Sequence, residues 1–318
     1  MKKKLMCMLL TGVMAASMLA GCGDTAEETA DNSADVAAEE NATTDDAAEE
    51  EEAASDFDAS SMVAVYSRED GSGTRGAFIE LFGIEQKDEN GEKVDYTTEE
   101  AVITNSTDVM LTSVAGDTYG IGYVSLGSLN DTVKAVTIDG AEATVDNIKA
   151  GTYAIARPFN IATTGEVSEV AQDFINFIMS ADGQAIIEEK GYISVSDAAA
   201  FESNGAEGKI VVGGSSSVSP VMEKLIEAYQ AINAGADIEL QTSDSSTGMT
   251  GAADGTLDIG MASRELKDTE VESGLTGTKI AMDGIAVVVN QENPVEDLSS
   301  ETVKAIFTGE VTTWDAAN

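Results

Sequence analysis

The feature that most limits what this chain can fold into is a unit that recurs along it: a strand-forming run that ends in a short loop of Gly, Ser and Thr. Met62 to Tyr66 runs into Ser67-Arg-Glu-Asp-Gly-Ser-Gly-Thr74, and Ala77, Phe78, Leu81 and Phe82 follow at helical spacing. Lys209-Ile-Val-Val-Gly-Gly-Ser-Ser-Ser-Val-Ser-Pro220 repeats the logic and leads to a helix from Val221 to Ile232. Asp237 to Gln241 runs into Thr242-Ser-Asp-Ser-Ser-Thr-Gly-Met-Thr250 before another helix, and Leu257 to Leu266 is a strand with a small-residue turn. Between these units the spacing predicts an exposed insertion (Glu85 to Glu99), a helix at Thr107 to Val114 and a strand at Gly120 to Val124. Further strands are expected at Val133 to Ile138 and Ala154 to Ile161, helices at Glu166 to Met179 and Ala181 to Glu189, a strand at Ile280 to Asn290 and a short helix at Glu301 to Phe307. Alternating strands and helices define an α/β fold.

Four strand-end loops are therefore built from the same materials: Arg68 to Thr74, Ser215 to Ser217, Ser243 to Thr247, and Ala262 to Arg264. In an α/β sheet such loops lie at the carboxyl ends of strands, where ligands bind. Small residues admit close backbone approach, and the first amides of each helix lack intrahelical partners. With Ser and Thr hydroxyls and the fork of Arg68 added, the loops suit a small ligand rich in acceptor oxygens. One such loop would read as an ordinary capped helix start; four together point to a ligand.

Charge and composition remove several function classes. A net charge of −41, from 58 acids and 17 bases, repels nucleic acid and anionic membrane. The chain has no histidine, hence no Ser-His-Asp arrangement and none of the commonest metal ligand. Ser-x-x-Lys is absent, and Gly71-Ser-Gly-Thr74 is not followed by Lys, so neither a serine hydrolase nor a P-loop enzyme is supported. Both cysteines, Cys7 and Cys22, fall in the first 22 residues, leaving the foldable part without disulfide, zinc or thiol chemistry. No cofactor and no metal are expected.

The amino terminus has the layout of a secretory signal over residues 1–21: Lys2 to Lys4, an apolar run from Leu5 to Leu19, then Leu19-Ala20-Gly21-Cys22. That tetrapeptide resembles the lipobox of bacterial lipoproteins. The resemblance implies cleavage before Cys22 and lipid on its thiol; a plain signal with a chance cysteine is the alternative. Residues 22–56 hold 14 acids, no base and Val36 as the only large apolar residue, which predicts a solvated acidic tether.

The motifs taken together resemble the phosphate-binding proteins of ATP-driven phosphate importers. The residues that carry this are Gly213-Gly-Ser-Ser-Ser-Val-Ser-Pro220, Asp258-Ile-Gly-Met-Ala-Ser-Arg-Glu-Leu-Lys267, Asp283-Gly-Ile-Ala-Val-Val-Val-Asn290, Ile306-Phe-Thr-Gly309 with Trp314, and Ser67 to Arg75. Arg157-Pro-Phe-Asn160 and Ala171 to Met179 match the family's closing segment. The resemblance implies a two-lobed periplasmic-binding-protein (type II) fold with two hinge crossovers, near Ala156 and Gly284. One lobe would hold residues 57–156 plus 285–318, the other 157–284. The family's halves stand here in exchanged order, so the chain is either a circular permutant joined through 196–208 or a tandem protein cut short. Inorganic phosphate, the membrane permease subunits of an importer, and the membrane itself through lipid on Cys22 are the implied partners, with the protein on the outer face of the cytoplasmic membrane. A binding protein for another tetrahedral oxyanion, or a sensor or adhesion lipoprotein without transport, is the alternative.

Carried over residue by residue, the phosphate-binding set is Arg68, Ser72, Gly73 and Thr74 on one lobe against Ser216, Ser217, Ser245 and Ser263 on the other. Asp70 is expected to hold the Arg68 guanidinium. A buried phosphate costs tens of kcal/mol unpaired by the Born estimate, so many donors must meet it. Rejecting sulfate needs an acceptor facing the phosphate proton. Some family members place an Asp where this chain has Ser263, which weakens the case for strict selectivity. Asp283 is either a substitute acceptor or a turn residue before Gly284.

Overall fold

The computed structural model describes residues 57–317. The leader, Cys22 and the acidic tether lie outside the described residues. The described chain opens with β1 (Ala64–Arg68), α1 (Gly73–Leu81), a hairpin of β2 (Glu85–Lys87) and β3 (Lys93–Asp95), β4 (Val102–Thr104), α2 (Thr107–Ala115) and β5 (Gly120–Ser125). A 3-10 turn (Leu126–Ser128), β6 (Lys134–Ala135), β7 (Thr137–Ile138) and α3 (Val145–Ala150) lead to β8 (Ala156–Thr164), α4 (Glu169–Met179) and α5 (Ala181–Glu189). The rest comprises β9 (Gly208–Ser215), α6 (Ser219–Ile232), β10 (Ala236–Ser243), α7 (Ser245–Ala253), β11 (Ile259–Ala262), α8 (Asp268–Glu272), β12 (Leu275–Val289), β13 (Asp297–Leu298) and α9 (Ser300–Phe307).

The main sheet runs β10-β9-β11-β8-β12-β5-β1-β4, with β6 beside β12. Its ends are parallel: β10, β9 and β11 at one, β4, β1 and β5 at the other. The fifteen-residue β12 joins them, pairing antiparallel with β8 from Leu275 to Gly284 and with β5 from Ile285 to Val289. Helices cover both ends, which is why β5 and β11 are buried along their whole length.

The apolar interior divides at the same point of β12. One large core, including Phe159, Phe174, Tyr229 and Ile280, draws its buried members from residues 159–281. The other, including Phe78, Tyr123, Phe307 and Trp314, draws them from 63–155 and 285–317. The last segment folds back beside the first. Val63 N–H donates to Thr312 O at 2.9 Å, Asp315 N–H to Ala59 O at 2.7 Å, and the Trp314 indole to Tyr119 O at 3.1 Å.

Two local expectations shift. The helix expected from Glu166 begins at Glu169, because Ser168 caps it by accepting from Ala171 N–H. The run Val133 to Ile138 breaks into two short strands: Lys134–Ala135 lies on β12, whereas Thr137–Ile138 turns to pair with β13. The irregular stretch 196–207 is pinned to the body by the buried Asp173, whose carboxylate accepts from Ser203 Oγ, Asn204 N–H and Tyr229 OH. Phe201 adds ring contacts to Phe177 and Tyr229. No helix among the described residues is long and apolar enough to cross a membrane.

Candidate anion-binding site

The starts of α1, α2, α6 and α7 converge where β1, β9, β10 and β11 end. Arg68 closes β1, Ser215 closes β9, and Ser263 follows β11. Close backbone packing allows this. Gly214 has φ 135°, and a Cβ on it would lie 2.3 Å from Met261 O; one on Gly248 of α7 would lie 2.6 Å from Gly214 Cα. Glycine at both positions seats α7 directly on β9 and β11, with Ser245 at its first turn and Asp244 as its cap, accepting from Thr247 N–H.

The result is a buried cluster of hydroxyls around one guanidinium. Arg68, 2% exposed, donates from Nη2 to Ser216 Oγ at 3.1 Å and reaches Thr107 Oγ1 at 3.5 Å. Thr74 Oγ1 and Ser217 Oγ lie 2.8 Å apart, and Thr107 Oγ1 is 3.3 Å from both Ser216 Oγ and Ser217 Oγ. Ser215 Oγ donates to Ser263 Oγ at 3.0 Å, and Ser263 N–H donates to Ser245 Oγ at 3.1 Å. Thr74, Thr107, Ser215, Ser216, Ser217, Ser245 and Ser263 are all buried. The Arg68 backbone is fixed by its N–H donating to Tyr123 OH at 3.0 Å, and burial pushes the Tyr123 phenol up, so it stays neutral.

Gly73 sits where the two sides meet. A Cβ there would lie 2.4 Å from Ser245 Oγ and 2.8 Å from Ser263 Oγ. Gly73→Ala is expected to wedge the loops apart and to weaken anion binding by about 1–3 kcal/mol, the scale of overpacking. Thermal stability should change far less. Calorimetry beside a melting curve separates the two.

The structure brings together Arg68, Gly73, Thr74, Ser216, Ser217, Ser245 and Ser263, and it corrects two assignments, Asp70 and Asp283. Asp70 does not hold Arg68: its side chain is almost fully exposed and pairs with Arg75 at 2.7 Å. Glu69 takes that place, accepting from Nε and Nη2 of Arg68, each at 2.8 Å. Ser72 Oγ caps α1 by accepting from Arg75 N–H at 3.2 Å, which leaves its O–H as a donor. Asp283 is no acceptor within the cluster. Its Oδ2 accepts from Arg157 Nη2 at 3.0 Å and Nε at 3.3 Å, and its Oδ1 has no hydrogen-bond partner. Burial pushes the Asp283 carboxyl up, with the Arg157 guanidinium opposing the rise.

Sequence reasoning missed Thr107, Ser215, Glu69 and Arg157. Ser215 belongs to the Ser215–Ser217 loop, but as the last residue of β9 it carries no signal that sets it apart from its two neighbours. Thr107 is the first residue of a capped helix, and nothing in its neighbours marks it. Chemically, the cluster offers one cation, many hydroxyls and helix-start amides. None of the seven hydroxyls bonds a carboxylate among the described residues, and no group of acidic or cysteine side chains there could hold a metal.

Comparison with known proteins gives the same direction. The family described as "PBP superfamily domain" matches residues 199–318, and "Bacterial extracellular solute-binding protein" matches 97–193. "Phosphate-binding protein PstS 2" of Streptococcus agalactiae is 58% identical over 253 residues, covering 79% of this chain and 86% of that protein. The protein of the same name from Streptococcus pneumoniae is 46% identical over 263 residues, covering 82% and 90%. The crystal structure of a phosphate-binding protein of a phosphate ABC transporter from Streptococcus pneumoniae TIGR4 superposes with a TM-score of 0.65 at 45% identity, over 81% of this chain and 100% of that one.

Proposed function

This chain belongs to the PstS family of phosphate-binding proteins, solute-binding proteins of the periplasmic-binding-protein fold, and on that premise we propose that it captures inorganic phosphate at the Arg68 hydroxyl cluster. The phosphate is then handed to the permease subunits of an ATP-driven importer outside the cytoplasm. The observation that carries this reading is the composition of the cluster: a buried guanidinium and seven buried hydroxyls, contributed from both ends of the sheet. Arg68, Thr74, Ser216, Ser217, Ser245 and Ser263, with Thr107 and Ser215 added, would exchange their mutual hydrogen bonds for bonds to phosphate oxygens, together with the Gly73 amide. Ser72 and Glu69 hold the loop and the guanidinium.

The two lobes are residues 57–156 plus 285–318 and 157–284. This division is supported by the two separate cores and by β8 and β12 crossing between them side by side. Closure brings Thr74 to Ser217 and Gly73 to Ser245. Permutation is the reading of the exchanged order, with the halves joined through 196–208. It is supported by residues 312–315 lying against residues 59–63, and by matches that span 86% and 90% of the streptococcal relatives. Lipid on Cys22 and an acidic tether up to residue 56 would hold the protein at the outer face of the membrane, as the lipobox suggests.

The alternative, another tetrahedral oxyanion, is not favoured by these relatives, which are named for phosphate; because the hydroxyls meet no carboxylate, sulfate is the competitor to test. Calorimetry of residues 57–318 with phosphate, sulfate and arsenate decides between them. One phosphate per chain, bound more tightly than sulfate, is expected; tighter sulfate binding overturns the phosphate assignment. Arg68→Ala should weaken phosphate binding by at least about 1.5–3 kcal/mol, the scale of a charged hydrogen bond. Unchanged affinity would remove Arg68 from the site.

A further inference from the structure

We infer that Arg157, held by Asp283, is a positioning residue that fixes Ser263 for anion binding; this rests on the phosphate reading of the cluster. Arg157 lies on β8 at the register position opposite Asp283 of β12 and is 2% exposed. Its guanidinium lies 5.4 Å from the centre of the Phe159 ring, Nε and Nη2 donate to Asp283 Oδ2, and Nη1 donates to Ser263 O at 3.1 Å. Three residues along the same strand, Asn160 Nδ2 donates to Arg264 O at 2.9 Å. The two carbonyls that follow β11 are thus both tied to side chains of β8.

The consequence falls on one hydroxyl. Ser263 has its N–H on Ser245 Oγ and its carbonyl on Arg157, so both backbone groups are fixed and only the side-chain torsion remains free. Its Oγ already accepts from Ser215. A hydroxyl aimed in advance loses little entropy when a ligand arrives. Asp283 lets a guanidinium perform this task inside the protein: it orients the fork and balances the charge, so no unpaired ion is buried. Neither residue touches the hydroxyls themselves, so both act on binding through Ser263.

The test uses the paired change Arg157→Met with Asp283→Leu, which removes both charges while keeping volume. Such replacement of a buried pair leaves folding near the original stability, so the denaturation midpoint should hold. Phosphate affinity is expected to fall about tenfold, the scale of one lost tether. In a Ser263→Ala background the same paired change should cost less than about twofold, because residues acting through one another are not additive. Amide exchange at Ser263, read on protein without any anion, should quicken about tenfold as the loop loosens. Unchanged exchange at Ser263, or an equal loss of affinity with and without Ser263, overturns the proposal. The exchange measurement needs no ligand. If the unmodified protein binds no phosphate, the functional reading fails while exchange still decides the positioning role.

Discussion

Trp314→Ala is expected to lower the stability of the folded chain by about 3–5 kcal/mol, the range for truncating a buried aromatic. Trp314 is completely buried, its indole N–H donates to the carbonyl of Tyr119, and its ring meets the edge of Phe57. It belongs to the same core as Phe78 and Tyr123, the residues beneath the Arg68 loop. For a domain of this size the loss corresponds to a melting temperature lower by on the order of 10 °C. Truncating Trp314 should also weaken phosphate binding although it lies outside the cluster, because Val63, at the entry to the strand that ends in Arg68, is bonded to Thr312. A melting curve with stability unchanged would mean that the last segment does not support the first.

Asp283→Ala should have an effect of similar size for a different reason. Removing one member of a buried ion pair costs about 3–5 kcal/mol, because the partner is left charged and unpaired. Asp283 and Arg157 are 1% and 2% exposed, and burial already pulls the Arg157 guanidinium below its usual range, with Asp283 opposing the fall. Urea unfolding at neutral pH measures the loss. The comparison that gives it meaning is the paired Arg157→Met, Asp283→Leu protein, which should unfold close to the original midpoint. If Asp283→Ala and the paired change were equally destabilising, packing rather than charge would govern this spot.

The strand–loop–helix units were legible because their signals are local. A Gly/Ser loop after Ile210-Val-Val212 and an apolar repeat at Ala77, Phe78 and Leu81 each act within a few residues. Asp70 misled because a residue carried over from a family keeps its place in the chain but not its partner. The family resemblance assigns Asp70 to Arg68, but β1 stops at Arg68 and the chain turns so that Glu69 takes the guanidinium while Asp70 pairs with Arg75. Asp283 misled because its partner is a cross-strand neighbour, and the register of β12 on β8 is written nowhere in the residues around it.

By itself, then, the sequence determined the α/β alternation, the absence of catalytic histidine and thiol chemistry in the foldable part, the anion-suited composition of the loops and the family resemblance. Only the tertiary structure decided which side chains meet. Thr74 and Ser217 are 143 residues apart in the chain, and Arg68 and Ser216 are 148 apart. Contacts at that separation depend on how the strands pair across the sheet and on how closely glycine lets α7 approach it. No residue's immediate neighbours encode either.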